Sequence, residues 1–231
     1  MWSPSELARE VVRRLDRLHG RPQWRQRMAP LDELVACILS QHTSDVNSGR
    51  AYQQLRERFP TWEAVMEAPV EQVEEAIRPG GLASSKAPRI QAVLRAIAEH
   101  TGGTLHLDFL QEMDTESARR YLLSLPGVGP KTAAIVLCFS LGRPVIPVDT
   151  HVFRVSWRLG FLDRKVGEAR AHDLLQQVVP EEDVYAFHVH LIRHGRQVCK
   201  ASRPRCEQCA LADLCAYRKA QSSPSAGHDG A

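Results

Sequence analysis

The stretch Leu125-Pro126-Gly127-Val128-Gly129-Pro130-Lys131-Thr132-Ala133 decides how this chain folds. Before it, Thr115 to Leu125 follows helical spacing. After it, a second helix starts at Pro130, a residue suited to the first helical position. Two glycines within three residues permit positive φ and expose backbone N–H groups beside a helix start. Such a turn can bind a phosphate oxygen with no side-chain charge at all. Leu125 and Val128 are placed to pack the two helices together. The pattern reads as a helix-hairpin-helix, with a plain glycine-rich turn as the simpler alternative. Gly127, Val128 and Gly129 are thereby candidate contacts to a nucleic-acid backbone.

Working outward, the signals stay helical. Ser3-Pro4-Ser5-Glu6 reads as a capping box opening a helix towards His19, which Gly20-Arg21-Pro22 ends. Leu31, Leu34, Val35, Ile38 and Leu39 recur at helical spacing after Pro30. Amphipathic stretches follow near Asp45–Phe59, Thr61–Met66, Val70–Arg78 and Ser85–His100, and later near Thr150–Leu159, Val166–Val178 and Glu182–His194. Leu105–Asp108 is the one strand-like piece. The predicted fold class is all-α, without internal repeats. The Ser/Gly/Ala-rich stretch 220–231 reads as a disordered tail.

The composition agrees with a folded domain or two. Of 231 residues, 43% are hydrophobic and 25% charged, enough apolar material for a core and unlike a disordered or collagen-like chain. The longest apolar stretch, Ala133 to Leu141, is too short to span a bilayer. Glu6 and Arg9 follow the start so soon that no signal-peptide core is visible. A soluble, intracellular protein without membrane association is expected. Net charge is only +3, but from Tyr185 to Lys219 seven Lys/Arg face two acids, Glu207 and Asp213. That end is either a solvated basic face or a surface for phosphates.

Within it lie Cys199, Cys206, Cys209 and Cys215, spaced C-x6-C-x2-C-x5-C over 17 residues. In a reducing compartment such a group holds a metal rather than disulfides. Only Cys206 and Cys209 have the knuckle spacing common in zinc sites, whereas an iron–sulfur cluster accepts compact, uneven loops. Spacing alone leaves both open. Lys200, Arg203 and Arg205 occupy the first loop, where a metal pinning both ends would fix three positive charges without a hydrophobic core beneath them. Cys37 and Cys138 sit singly in apolar helical stretches and read as buried structural thiols.

Lys131 falls in the first turn of the second hairpin helix. It can contact a phosphate, remain a solvated lysine, or act as an amine nucleophile. Only about one ordinary lysine in 2,000 is neutral at pH 7, and a helix N-terminus disfavours the charged form. Asp149, in Val148-Asp149-Thr150-His151-Val152-Phe153-Arg154-Val155, is placed as a helix N-cap. Paired with Lys131, it could instead stabilise a cationic sugar or help deprotonate the amine.

Three motifs, L-P-G-V-G-P-K-T-A, V-D-T-H-V-F-R-V and H-G-R-Q-V-C leading into the four cysteines, occur in order across Ser3 to Lys219. Together they resemble the endonuclease III family, bifunctional DNA glycosylases of the helix-hairpin-helix superfamily. The resemblance implies that a damaged base, typically an oxidised pyrimidine, is flipped from duplex DNA into a cleft between two helical domains. Lys131 matches the lysine that attacks the sugar C1′ and forms a Schiff base, after which β-elimination nicks the strand on the 3′ side. Asp149 matches the catalytic aspartate, and the four cysteines match the ligands of a [4Fe–4S] cluster. The implied domains are a six-helix barrel with the hairpin at 23–143 and an iron–sulfur domain joining 1–22 to 144–219. Double-stranded DNA with a damaged base or abasic site is the implied partner, for a monomer in a prokaryote-like cytoplasm, associated with the nucleoid.

Ile38 to Asp45 resembles the segment that fills the hole left by the extruded base, which makes Gln41 and His42 candidate DNA contacts. The family usually has Gln where His42 stands. Gly81-Leu82 matches a segment whose apolar side chain wedges into the duplex, and His151 a residue near the lesion pocket. Thr104 to Arg120 is longer than the family's usual connection. Adenine glycosylases of the same superfamily usually lack the lysine at position 131. A lyase with weak or different base specificity, or a non-catalytic DNA-binding module, are the alternative readings.

Overall fold

The computed structural model describes residues 2–222. Among them no strand is present. The α-helices are α1 (Pro4–His19), α2 (Pro30–Ser40), α3 (Asp45–Arg58), α4 (Trp62–Glu67), α5 (Val70–Ile77), α6 (Ala83–Thr101), α7 (Thr115–Ser124), α8 (Pro130–Ile135), α9 (Thr150–Leu159), α10 (Glu168–Val178), α11 (Val184–Gln197) and α12 (Ala216–Ser222). No helix is long and apolar enough to cross a membrane among these residues. Two compact units divide the chain: Arg25–Arg143, and a second built from the residues up to Trp24 and from Pro144 onward.

The second unit depends on α1. Ser3 caps it with a full capping box, its hydroxyl accepting from the Glu6 amide while the Glu6 carboxylate accepts from the Ser3 amide at 2.7 Å. Ala8, Val11, Val12 and Leu15 form one apolar stripe, which packs into a core with Val152, Val155, Leu159, Leu175, Phe187 and Leu191. Its polar face is tied down as well. Arg14 donates to Glu10 at 2.8 Å, to the Ala210 carbonyl at 3.0 Å and to Asp213, and Asp16 lies 2.7 Å from His190 Nε2.

The first unit is organised around α2, whose Leu34, Val35, Ile38 and Leu39 are fully buried, and around α6 with Ile90, Leu94 and Ile97. Beyond α8 the backbone widens into a π-turn over Val136–Ser140. Cys37 and Cys138 are buried as expected, and desolvation pushes both thiols up to about 12.

Two details differ from the sequence reading. Leu105–Asp108 makes no strand. It runs into a 3-10 turn at Asp108–Gln111 that buries Leu107 and Leu110 without a partner strand, while Arg143 holds the Gln111 and Met113 carbonyls at 2.9 Å. Helix α12 extends to Ser222, so 220–222 is helical. The rest of the stretch read as a tail, 223–231, lies outside the described residues.

Candidate functional site

In the unit Arg25–Arg143 the hairpin turn has the geometry its residues dictate. Gly127 has φ +70°, while Leu125 and Val128 are buried between the helices. The Val128 amide donates to the Leu125 carbonyl at 3.2 Å. The amides of Gly127 and Gly129 take no backbone acceptor among the described residues. Lys131 follows in the first turn of α8 with its side chain exposed.

Two further loops share a backbone signature. His42 and Leu82 both adopt left-handed conformations, at φ 55° and 51°, which non-glycine residues rarely occupy. Both side chains are exposed, Leu82 to 56%. An apolar side chain held outward on a strained backbone fits insertion between bases better than core packing.

One buried lysine ties these loops together. The Nζ of Lys86 donates to the Leu39 carbonyl at 2.7 Å and the Gly80 carbonyl at 2.9 Å. Its side chain is only 2% exposed, and burial, with the nearby charge of Arg89, pulls its pKa below the ordinary lysine value. One turn further on, Arg89 Nη1 donates to Gln41 Oε1 at 2.7 Å. Sequence reasoning missed both residues. Lys86 had left a signal: it stands four residues before Ile90 and eight before Leu94, a cation on the apolar stripe.

In the other unit Asp149 is the N-cap of α9. Its Oδ1 accepts from the amides of His151 at 2.9 Å and Val152 at 2.7 Å. His151 Nδ1 lies 3.0 Å from Arg154 Nη2. Because a guanidinium only donates, Nδ1 must accept, which places the imidazole proton on Nε2. Arg154 also donates to the Gly195 carbonyl at 2.9 Å and, through Nε, to the Cys199 carbonyl at 3.0 Å. Gly195 allows this approach, since a Cβ there would stand 3.0 Å from that of His151.

The four cysteines line one pocket with Val155, Arg158 and His194. Burial pushes the Cys209 thiol up to about 11, and the charges of the other three cysteines add to this. Thiols that oppose one another's ionisation call for a cationic centre among them. A pocket ringed by four thiols offers the ligand set that an iron–sulfur cluster takes. The surroundings complement it: Arg158 Nη1 donates to Cys199 Sγ at 3.2 Å, and burial holds His194, 3.5 Å from Cys209 Sγ, neutral with a pKa of about 4.

Lys200, Arg203 and Arg205 are all exposed on the loop between the first two cysteines. The cysteines around this loop rest on a core, while the loop's own charged residues do not. Leu211 and Leu214 are buried, and Cys199, Cys209 and Cys215 pack against the same apolar cluster. Arg158 clamps the loop from inside, donating to the Lys200 carbonyl at 2.8 Å and the Ala201 carbonyl at 3.0 Å.

The model of the HhH-GPD superfamily of base excision DNA repair proteins matches residues 35–181, and that of the iron–sulfur binding domain of endonuclease III matches residues 199–215. Endonuclease III of Thermotoga maritima is 35% identical over 212 residues, 92% of each chain. The chain belongs to the endonuclease III family. The Escherichia coli K12 member is 38% identical over 191 residues, covering 83% of this chain and 85% of its own. A solved structure of a trapped endonuclease III–DNA covalent intermediate, an estranged-adenine complex, superposes with a TM-score of 0.79 at 30% identity, covering 96% of this chain and 99% of that one. This endonuclease III-like protein is accordingly a base excision repair enzyme, a DNA glycosylase and AP lyase with a [4Fe–4S] cluster.

Proposed function

We propose that this enzyme removes oxidised pyrimidines from duplex DNA and nicks the strand through a Schiff base on Lys131. The observation that carries the reading is the exposed amine of Lys131, one turn of chain beyond a hairpin whose glycine amides have no backbone acceptor. Those amides take a strand phosphate, while Gln41 and His42 fill the space of the extruded base and Leu82 wedges into the duplex. His151 serves the lesion pocket. Lys200, Arg203 and Arg205 dock on the DNA backbone.

In the first step neutral Lys131 Nζ attacks C1′. The glycosidic bond breaks, and its electron pair leaves with the base, which takes up a proton. Ring opening leaves an imine between Lys131 and C1′. Loss of a C2′ proton then expels the 3′ phosphate, completing β-elimination. Asp149 supports this as a carboxylate whose charge offsets the developing positive charge, its cap bonds being made by Oδ1. Cys199, Cys206, Cys209 and Cys215 hold the [4Fe–4S] cluster, which fixes the basic loop that binds DNA. The enzyme acts as a monomer on chromosomal DNA in the cytoplasm.

Borohydride trapping tests the reading on two duplexes, one with an abasic site and one with an oxidised pyrimidine. Covalent adducts on both, absent from Lys131→Ala, are expected. An adduct on the abasic duplex alone would replace the substrate assignment with a lyase of other base specificity, a reading that His42, standing where the family usually has Gln, favours. No adduct on either, with DNA binding intact, would leave a non-catalytic binding protein.

A further inference from the structure

Arg89 lies where two of the candidate DNA elements meet. Its aliphatic stem and Nε rest on the hairpin turn: a Cβ added to Gly127 would stand 2.7 Å from Arg89 Cδ and 2.8 Å from Nε. Its Nη1 donates to Gln41 Oε1 at 2.7 Å, across 48 residues of sequence. The side chain is half-buried. A guanidinium carries five N–H donors, and this bond uses one. No carboxylate pairs with Arg89 among the described residues. An uncompensated cation packed on the Gly127 turn, with unused donors in a rigid fork, matches a phosphodiester oxygen.

We infer that Arg89 is a DNA-phosphate ligand, gripping the backbone together with the hairpin turn and passing that position to the Gln41–His42 loop. The inference rests on the proposed DNA-binding role of the hairpin and adds a residue that none of the family-like motifs contains. The phosphate neutralises the guanidinium, and the bond to Gln41 then sets where the loop enters the duplex. Phosphate grip and base replacement become coupled through one side chain.

The test uses the full-length, iron-loaded protein and a duplex carrying a tetrahydrofuran abasic analogue. Affinity is measured by fluorescence anisotropy from low to moderate salt for wild type, Arg89→Gln and Arg89→Lys. Arg89→Gln is expected to reduce the slope of log K against log salt by about one unit and to weaken binding about eightfold at 0.1 M salt. Arg89→Lys keeps the charge and is expected to keep the slope. With its shorter reach to Gln41, it should lower base excision more than trapping on a pre-formed abasic site. Unchanged melting temperature and iron content exclude a folding defect, which a half-exposed position is not expected to cause. An unchanged slope in Arg89→Gln, or an equal loss in Arg89→Lys, would overturn the inference. Absent binding by the wild type would instead overturn the proposed function.

Discussion

Asp149 caps α9 through one carboxylate oxygen, and Val152 is the closer of its two amide partners at 2.7 Å. The cap and the proposed chemistry therefore make separate demands on one side chain. Asn caps almost as well as Asp but carries no charge. Asp149→Asn should unfold within a few tenths of a kcal/mol of wild type yet lose most base excision, whereas Asp149→Ala should lose excision and also about 1 kcal/mol of stability. Paired urea melts and single-turnover excision assays separate the two; equal activity in wild type and Asp149→Asn would leave Asp149 with the cap alone.

Lys86→Met keeps the length of the side chain and removes the ammonium that the Leu39 and Gly80 carbonyls share. Both acceptors would then be left unpaired in a buried site. A loss of about 2–4 kcal/mol is expected in chemical denaturation. Limited proteolysis should cut faster between Arg78 and Leu82, where the loop loses its anchor. Wild-type stability in this variant would show that water replaces the ammonium at no cost.

Glu10 supplies a pH signature. Its hydrogen bonds from Arg13 and Arg14 hold the carboxyl down at about 2. In the unfolded chain a glutamate titrates near 4.3, so as pH falls from about 4.3 to about 2 the unfolded state takes up the proton first. The stabilisation is full above that window and is lost through it. Glu10→Gln should reduce stability at pH 7 by about 1–2 kcal/mol and give a flatter acid limb than wild type. Parallel acid limbs in the two proteins would refute the assignment.

The cluster and its arginine can be checked together. Purified protein should be yellow-brown with about four irons per chain. Colourless, zinc-loaded protein would refute that. Arg158→Gln removes a positive donor 3.2 Å from Cys199 Sγ. Loss of positive charge beside the sulfur disfavours the added electron, so the midpoint potential should move to more negative values. Voltammetry reads the shift, and an unmoved potential with full iron content would mean that this contact leaves the cluster electronically untouched.

What could be read from the sequence was what lies close together in it. The hairpin glycines, the Ser3–Glu6 box, the Asp149 cap and the four cysteines each act within a few residues of themselves, so spacing reveals them. Lys86 and Arg158 were half-visible, as cations on the apolar stripes of α6 and α9, a pattern that signals a buried partner before the partner is known. Gln41 and Gly127 stood out singly, but their meeting at Arg89 left no trace, because it joins three separate elements and Arg89 alone is unremarked. Leu105–Asp108 misled because alternating apolar residues fit a strand as well as a 3-10 turn, and only a neighbouring strand decides between them.

The split origin of the second unit has a consequence during synthesis. Helix α1 leaves the ribosome long before its partners: Ala210, Asp213 and His190 follow some 170 or more residues later. At about 5–20 residues per second, that is a delay of roughly 10–40 s. The continuous unit Arg25–Arg143 is complete well before then. Protease treatment of stalled nascent chains should find it protected while α1 is still cut. Meanwhile the stripe of Ala8, Val11, Val12 and Leu15 waits without the apolar partners that will cover it, which lie at 146 and beyond.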